Sequence, residues 1–220
     1  MNKAPKEEAA KRYSVAGNVT LLGKSGAISP DGVIARLHRL DGSTLVANEP
    51  TEQHVMDMEQ KSYAPGRMVI SKGDTISFLN KDSIRHNVFS STGENAFDLG
   101  TFGGGLQRGV TLHKDGVVKV YCNIHPKMAA FVAVDEIGIS TLVEINGDFQ
   151  FKDLEKGEYI LTLWSVRGEH TQTLSVGDSP SDDNQLTLNV IFDTASFKAA
   201  PRTNKFGEAY KTKYSKREFF

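Results

Sequence analysis

From about Gly17 onward the chain reads as short apolar runs rich in Val, Ile, Thr and Phe, separated by Gly, Asp and Asn. That pattern predicts successive β-strands. The runs are "NVTLL" (18–22), "GVIARLHRL" (32–40), "HVMDMEQKSY" (54–63), "RMVISKGDTISFLN" (67–80, with a Lys-Gly-Asp turn) and "HNVFSS" (86–91). "VTLH" (110–113), "VVKVYC" (117–122) and "AAFVAV" (129–134) follow. The glycine-rich "DLGTFGGGLQRG" (98–109) predicts a loop or one turn of helix, and no long segment has helical periodicity. After Asp135 the pattern restarts. "STLVEI" and "DFQFKDL" flank Asn146-Gly147, a tight-hairpin signal, and "GEYILTLWSV", "HTQTLSV" and "NQLTLNVIF" complete the set. In "QLTLNV", Leu186, Leu188 and Val190 alternate with polar residues, so one face is buried and the other wet. The expectation is an all-β chain with a leader (1–13), a larger β domain (14–135), a small β-sandwich (136–192) and a tail (193–220).

Composition narrows the function. The 220 residues suffice for a sizeable core. The net charge of −1 makes no case for nucleic acid or a membrane surface, and no apolar run is long enough to span a bilayer. The opening "MNKAPKEEAAKRY" lacks the apolar stretch of a secretory signal, so the chain is cytosolic or a mature form. The tail carries seven Lys or Arg against three Asp or Glu. It reads as an extended basic segment draped on the body or turned toward an acidic partner. The single cysteine, Cys122, excludes an internal disulfide.

"YCNIHPKM" (121–128) places that cysteine three residues before His125 and six before Met128. Thiolate, imidazole and thioether together suit copper, and such a site calls for a second imidazole. His86, at the start of a predicted strand, supplies it. Two histidines and a cysteine with a distant methionine make a one-electron copper site. A strand end delivers Cys122, a tight loop returns His125 and Met128 to the same ion, and His86 comes from a neighbouring strand.

The loop C-x-x-H-x-x-M with Pro126 after the histidine resembles that of the amicyanin-type members of the cupredoxin (blue copper) family. "GDTISFLNKDSIRHNVF" is similar to the cupredoxin segment bearing the first histidine. The stretch 54–134 resembles bacterial proteins labelled methylamine-utilisation or plastocyanin-like, which commonly append a carboxypeptidase-regulatory-like β-sandwich, here 136–192. The resemblance implies a Greek-key cupredoxin barrel followed by a small β-sandwich. It implies one copper ion (Cu2+/Cu+) on His86, Cys122, His125 and Met128, with Asn87 hydrogen-bonding between the ligand loops. It also implies a periplasmic electron carrier, not an enzyme, that serves a redox protein such as a c-type cytochrome or a dehydrogenase. Ile124, Pro126 and Ala129, with Phe102 and Leu106, would form an apolar collar where that partner docks.

Other readings fit less well. Structural zinc favours paired cysteines. A Cys–His nucleophile would need an orienting third residue. Copper oxidases add histidines in pairs that this chain lacks. His54, Met56 and Met58 share one face of a strand; they form either part of the core or an auxiliary Cu(I) site. The latter would favour copper trafficking or resistance over electron transfer. Trp164 is expected in the core of the second sandwich, and no catalytic residues are assigned.

Overall fold

The structure, a computed structural model, describes residues 11–45, 52–178 and 184–210. Its elements are strands apart from one short 3-10 turn, Gly93–Asn95. The chain begins with β1 (Tyr13–Gly23), β2 (Gly26–Ile28) and β3 (Ile34–Arg39). Next come β4 (Gln53–Glu59), β5 (Ser62–Ala64), β6 (Arg67–Ser71), β7 (Thr75–Asn80), β8 (His86–Ser90) and β9 (Phe97–Phe102). β10 (Gln107–Thr111), β11 (Gly116–Tyr121) and β12 (Ala129–Asp135) complete that stretch. The last strands are β13 (Ile139–Leu142), β14 (Asp148–Leu154), β15 (Gly157–Ser165), β16 (Gly168–Val176) and β17 (Gln185–Asp193).

The chain forms two compact units, but their boundaries are not the expected 14–135 and 136–192. β1 lies between β14 and β17, with β2 on β1; β3 lies between β13 and β15, with β16 beyond. The first three strands therefore belong to the sandwich, which is built from residues up to 45 together with 137–197. The other unit consists of β4 to β12, inserted between β3 and β13, together with residues 198–210 from beyond β17. The expected tail is divided as well. Asp193 ends β17, and Thr194 donates its N–H and its hydroxyl to the Leu22 carbonyl (2.8 and 2.7 Å). Most of the expected leader lies outside the described residues, and Tyr13 already begins β1. Local alternation identifies a strand and its buried face, but partner choice depends on residues far along the chain. Val15 pairs with Phe151 on one side and Leu186 on the other.

The sandwich unit buries Val15, Val19, Leu37, Phe149, Tyr159, Leu161, Leu163 and Phe192 in one core. Trp164 is buried too, but its place in β15 gives it the opposite parity from Tyr159, Leu161 and Leu163, and it is not among the residues of that core. Around Asn146-Gly147 the chain does turn. Gly147, at φ 94°, donates to Glu144, and Glu144 donates to Asp148. The strands on either side then diverge, β13 to β3 and β14 to β1, so this is a link between sheets and not a two-strand hairpin.

The second unit has two sheets, ordered β10-β7-β4-β5 and β6-β12-β11-β8-β9. Met56, Met58, Ile76 and Phe78 from the first pack with Val88, Val118, Val120 and Val132 from the second. Burying this apolar surface is what holds such sheets together. The run 54–63 is broken by Gln60 and Lys61, both at left-handed φ (52° and 57°), which turn β4 into β5. The stretch 98–109 is mostly strand, β9 and β10 joined by a short loop. Among the described residues no helix is long and apolar enough to cross a membrane.

Candidate metal centre

Two neighbouring strands deliver the donors. β8 opens with His86, fully buried, and β11 ends at Tyr121, so Cys122 emerges at the edge of the core with no exposure. Residues 122–128 then make a closed loop. Met128 N–H donates to the His125 carbonyl (3.0 Å) and Cys122 N–H to the Met128 carbonyl (3.3 Å). This turn brings His125 back over Cys122. The donor atoms converge: His86 Nδ1 lies 3.1 Å from His125 Nδ1, and Cys122 Sγ lies 4.0 and 3.7 Å from these two nitrogens. It is the one group of three or more His, Cys, Asp or Glu donors among the described residues placed to hold a metal ion. Met128 is buried in the same apolar core as Cys122.

The spacing fits a first-row ion. With metal–nitrogen and metal–sulfur distances of about 2.0 and 2.3 Å, a trigonal plane spreads two nitrogens about 3.5 Å apart and nitrogen from sulfur about 3.7 Å. The three edges lie within about half an ångström of those values.

Asp82, which the sequence reading did not single out, decides which nitrogen of His86 faces inward. His86 Nε2 lies 2.7 Å from Asp82 Oδ2. The Lys61 N–H, with His86 and the Gln60 N–H, holds the Asp82 carboxyl below its ordinary range against the effect of burial. An ionised carboxylate only accepts, so Nε2 carries the hydrogen, which leaves Nδ1 as the nitrogen that can offer a lone pair to a metal. Asp82 is itself fixed, accepting from the Gln60 and Lys61 N–H groups of the β4–β5 turn (2.8 and 2.9 Å). Asn80, wholly buried, accepts from the Asp82 N–H and donates to the Ile84 and Phe102 carbonyls. The glycine-rich loop closes against this turn. A Cβ on Gly104 would sit 2.4 Å from the Asp82 carbonyl oxygen, so only glycine allows the approach.

Asn87 links the two ligand segments. Its Oδ1 accepts from Asn123 N–H (3.2 Å) and its Nδ2 donates to Asp98 (2.8 Å). Burial works against the Asp98 carboxylate, but the Lys205 ammonium, the Asn87 amide and the Gly100 N–H outweigh it and hold its pKa below the usual value. Ile124 N–H points at Cys122 Sγ (3.4 Å). Burial first, then the nearby Cys122, pushes the Tyr210 phenol above its ordinary value. It stays a donor, and its hydroxyl meets the Cys122 carbonyl (2.7 Å). Asp98, Lys205 and Tyr210 were not assigned from sequence; the last two lie 82 and 88 residues from Asn123 and Cys122, the loop residues they bond.

Of the expected collar, Ile124 and Pro126 are exposed, Ala129 is half-buried, and Leu106 is exposed. Phe102 is a correction: it lies in the core, where its strand parity directs it. His125 is half-buried. Met56 and Met58 are fully buried among apolar side chains, and the His54 ring is hydrogen-bonded to Asp74 (2.8 Å), so this face is taken up by the core and that hydrogen bond.

Residues 51–135, which include all four expected ligands, match the family described as copper binding proteins, plastocyanin/azurin family. This bears out the resemblance to cupredoxins over that segment. Similar solved structures include a reduced tryptophan-to-tyrosine mutant of amicyanin, 24% identical, covering 41% of this chain and 87% of that one, with a TM-score of 0.35. A purple cupredoxin from Nitrosopumilus maritimus is 23% identical, covering 37% of this chain and 99% of that one, with a TM-score of 0.34. A Cu(I) methionine-to-alanine mutant of amicyanin is 22% identical, covering 45% and 98%, with a TM-score of 0.36. No curated protein matches the chain.

Proposed function

We propose that this protein is a one-electron carrier that holds a single copper ion on His86 Nδ1, Cys122 Sγ, His125 Nδ1 and the Met128 thioether. The observation that carries this reading is the triangle of two imidazole nitrogens and one sulfur within 4.0 Å of each other, with His86 and Cys122 fully buried. Copper bound there supplies the Cu(II)/Cu(I) couple. The chain's own residues supply rigidity. Asp82 fixes the tautomer and ring plane of His86, and Asn87 ties the His86 strand to the Cys122 loop. The Ile124 N–H at Cys122 Sγ draws charge from the sulfur, and such hydrogen bonds help set the potential. Ligands held this firmly move little between oxidation states. His125, half-buried beside exposed Ile124 and Pro126, is where the electron leaves for a redox protein. A periplasmic location and an electron-carrying rather than enzymatic role belong to the same proposal.

The test is an optical and EPR spectrum of the protein with one equivalent of Cu(II), beside Cys122→Ser. An intense visible thiolate-to-copper band with narrow copper hyperfine splitting is expected, lost in the variant. A colourless protein that binds Cu(I) tightly would favour copper trafficking instead. No binding of either ion would exclude copper.

A further inference from the structure

The segment after the sandwich is shaped, not trailing. Thr203 and Ala209 form an antiparallel bridge, Asn204 N–H donates to the Glu208 carbonyl (2.7 Å), and Gly207 N–H donates to the Asn204 carbonyl (3.0 Å). Asn204 Oδ1 also accepts from the Phe206 and Glu208 N–H groups (2.9 and 3.0 Å). This small hairpin meets the ligand loop at the residues around Cys122. The Tyr210 hydroxyl donates to the Cys122 carbonyl (2.7 Å), and the Lys205 N–H donates to Asn123 Oδ1 (2.9 Å). The Arg202 guanidinium lies 5.2 Å from the centre of the Tyr121 ring. The Lys205 ammonium also pairs with Asp98 (2.5 Å), which in turn accepts from Asn87 beside His86.

The Tyr210 contact fixes a peptide plane. A peptide unit is planar, so holding both its oxygen and its N–H fixes its plane. The unit joining Cys122 to Asn123 is held in that way: Tyr210 takes its carbonyl and Asn87 takes its N–H. That plane sets where Cys122 Sγ points and where the next N–H, that of Ile124, meets it.

We propose that the hairpin of residues 203–210 is a positioning element for the copper ligands, holding the Cys122–Asn123 peptide so that the sulfur is set before metal arrives. This rests on the copper reading of the site. Tyr210 acts through the peptide, Lys205 acts through the Asn123 side chain and Asp98, and neither is a metal ligand. The hairpin lies beyond residue 135, where the match to the copper-binding family ends.

The experiment uses Tyr210→Phe, which keeps the ring and removes the hydrogen bond, and a chain ending at residue 201, which removes the hairpin. In the copper-free protein the Asn123 amide is expected to exchange about 3- to 10-fold faster in Tyr210→Phe, the factor one hydrogen bond confers. The amides of β11 and β12 keep their protection, which separates this from loosening of the whole unit. With copper bound, the thiolate-to-copper band shifts, and copper passes to a chelator faster by a similar factor. Unchanged Asn123 exchange, band and release in Tyr210→Phe would overturn the proposal, whether or not the shortened chain folds. If wild-type protein binds no copper, the copper reading fails by itself. Asn123 exchange then still decides whether the hairpin holds the peptide.

Discussion

Single carboxylates carry much of the order in the unit of β4 to β12, and they act in two ways. Asp82 orients a ligand. Removing it as Asp82→Ala frees the His86 ring, and copper affinity is expected to fall 10- to 100-fold, as for other groups that orient ligands. Asp82→Asn, which still offers one acceptor, recovers part of the loss; a competition titration reads both. Asp74 stabilises the fold. Burial would raise its carboxyl, but hydrogen bonds from His54 and the Ser71 N–H outweigh this and hold its pKa below the usual value. A carboxyl lowered on folding adds stability above its unfolded pKa of about 3.9 and loses it as the pH drops through the folded value. Asp74→Asn is therefore expected to cost on the order of 1–3 kcal/mol at neutral pH. The gap in Tm between variant and wild type should hold from pH 7 to 5 and close below about pH 4. A gap that stays constant down to pH 2 would show that the charge of Asp74 is not what stabilises.

Between neighbouring strands, packing is specified by pairs of residues. Gly17 in β1 stands opposite Phe149 in β14, and the ring lies over the glycine. A Cβ at Gly17 would come 2.4 Å from Phe149 Cζ. Because Phe149 is buried in the sandwich core, the ring has little room to withdraw. Gly17→Ala is expected to cost about 1–3 kcal/mol through overpacking. Phe149→Leu placed in the same chain should return part of that stability, a coupling that a denaturant-melt double-mutant cycle would reveal. Additive effects would mean the ring and the glycine do not share the space.

On the scale of the whole chain, β4 to β12 are an insertion, and residues 198–210 join their unit from beyond β17. β1 and β3 come before the insertion and β13 to β17 after it, yet they share one core. A charge in that core, Val15→Asp, is expected to unfold the sandwich, exposing the amides of β14 and β17 to exchange. The unit of β4 to β12 has its own core and its own hairpin, 203–210, so the visible copper band expected of the proposed site should survive. Loss of the band together with the sandwich would show that the two units fold as one.

The sequence by itself determined the local facts. Alternation marked the strands, and donor chemistry at three-residue spacing singled out Cys122, His125 and Met128 as candidates, with His86 recognisable at the head of its own strand. These were legible because side-chain parity and the softness of sulfur and imidazole donors are properties of a few adjacent residues. Tertiary structure decided what lies far apart in the chain. It paired β1 with β14 and β17, sent Phe102 inward, set Asp82 on His86 and brought Tyr210 back to Cys122. Asp82 stands only four residues before His86, but its role depends on the β4–β5 turn that holds it. Partner choice of this kind is settled when whole faces are buried and registers lock, and no local pattern encodes it.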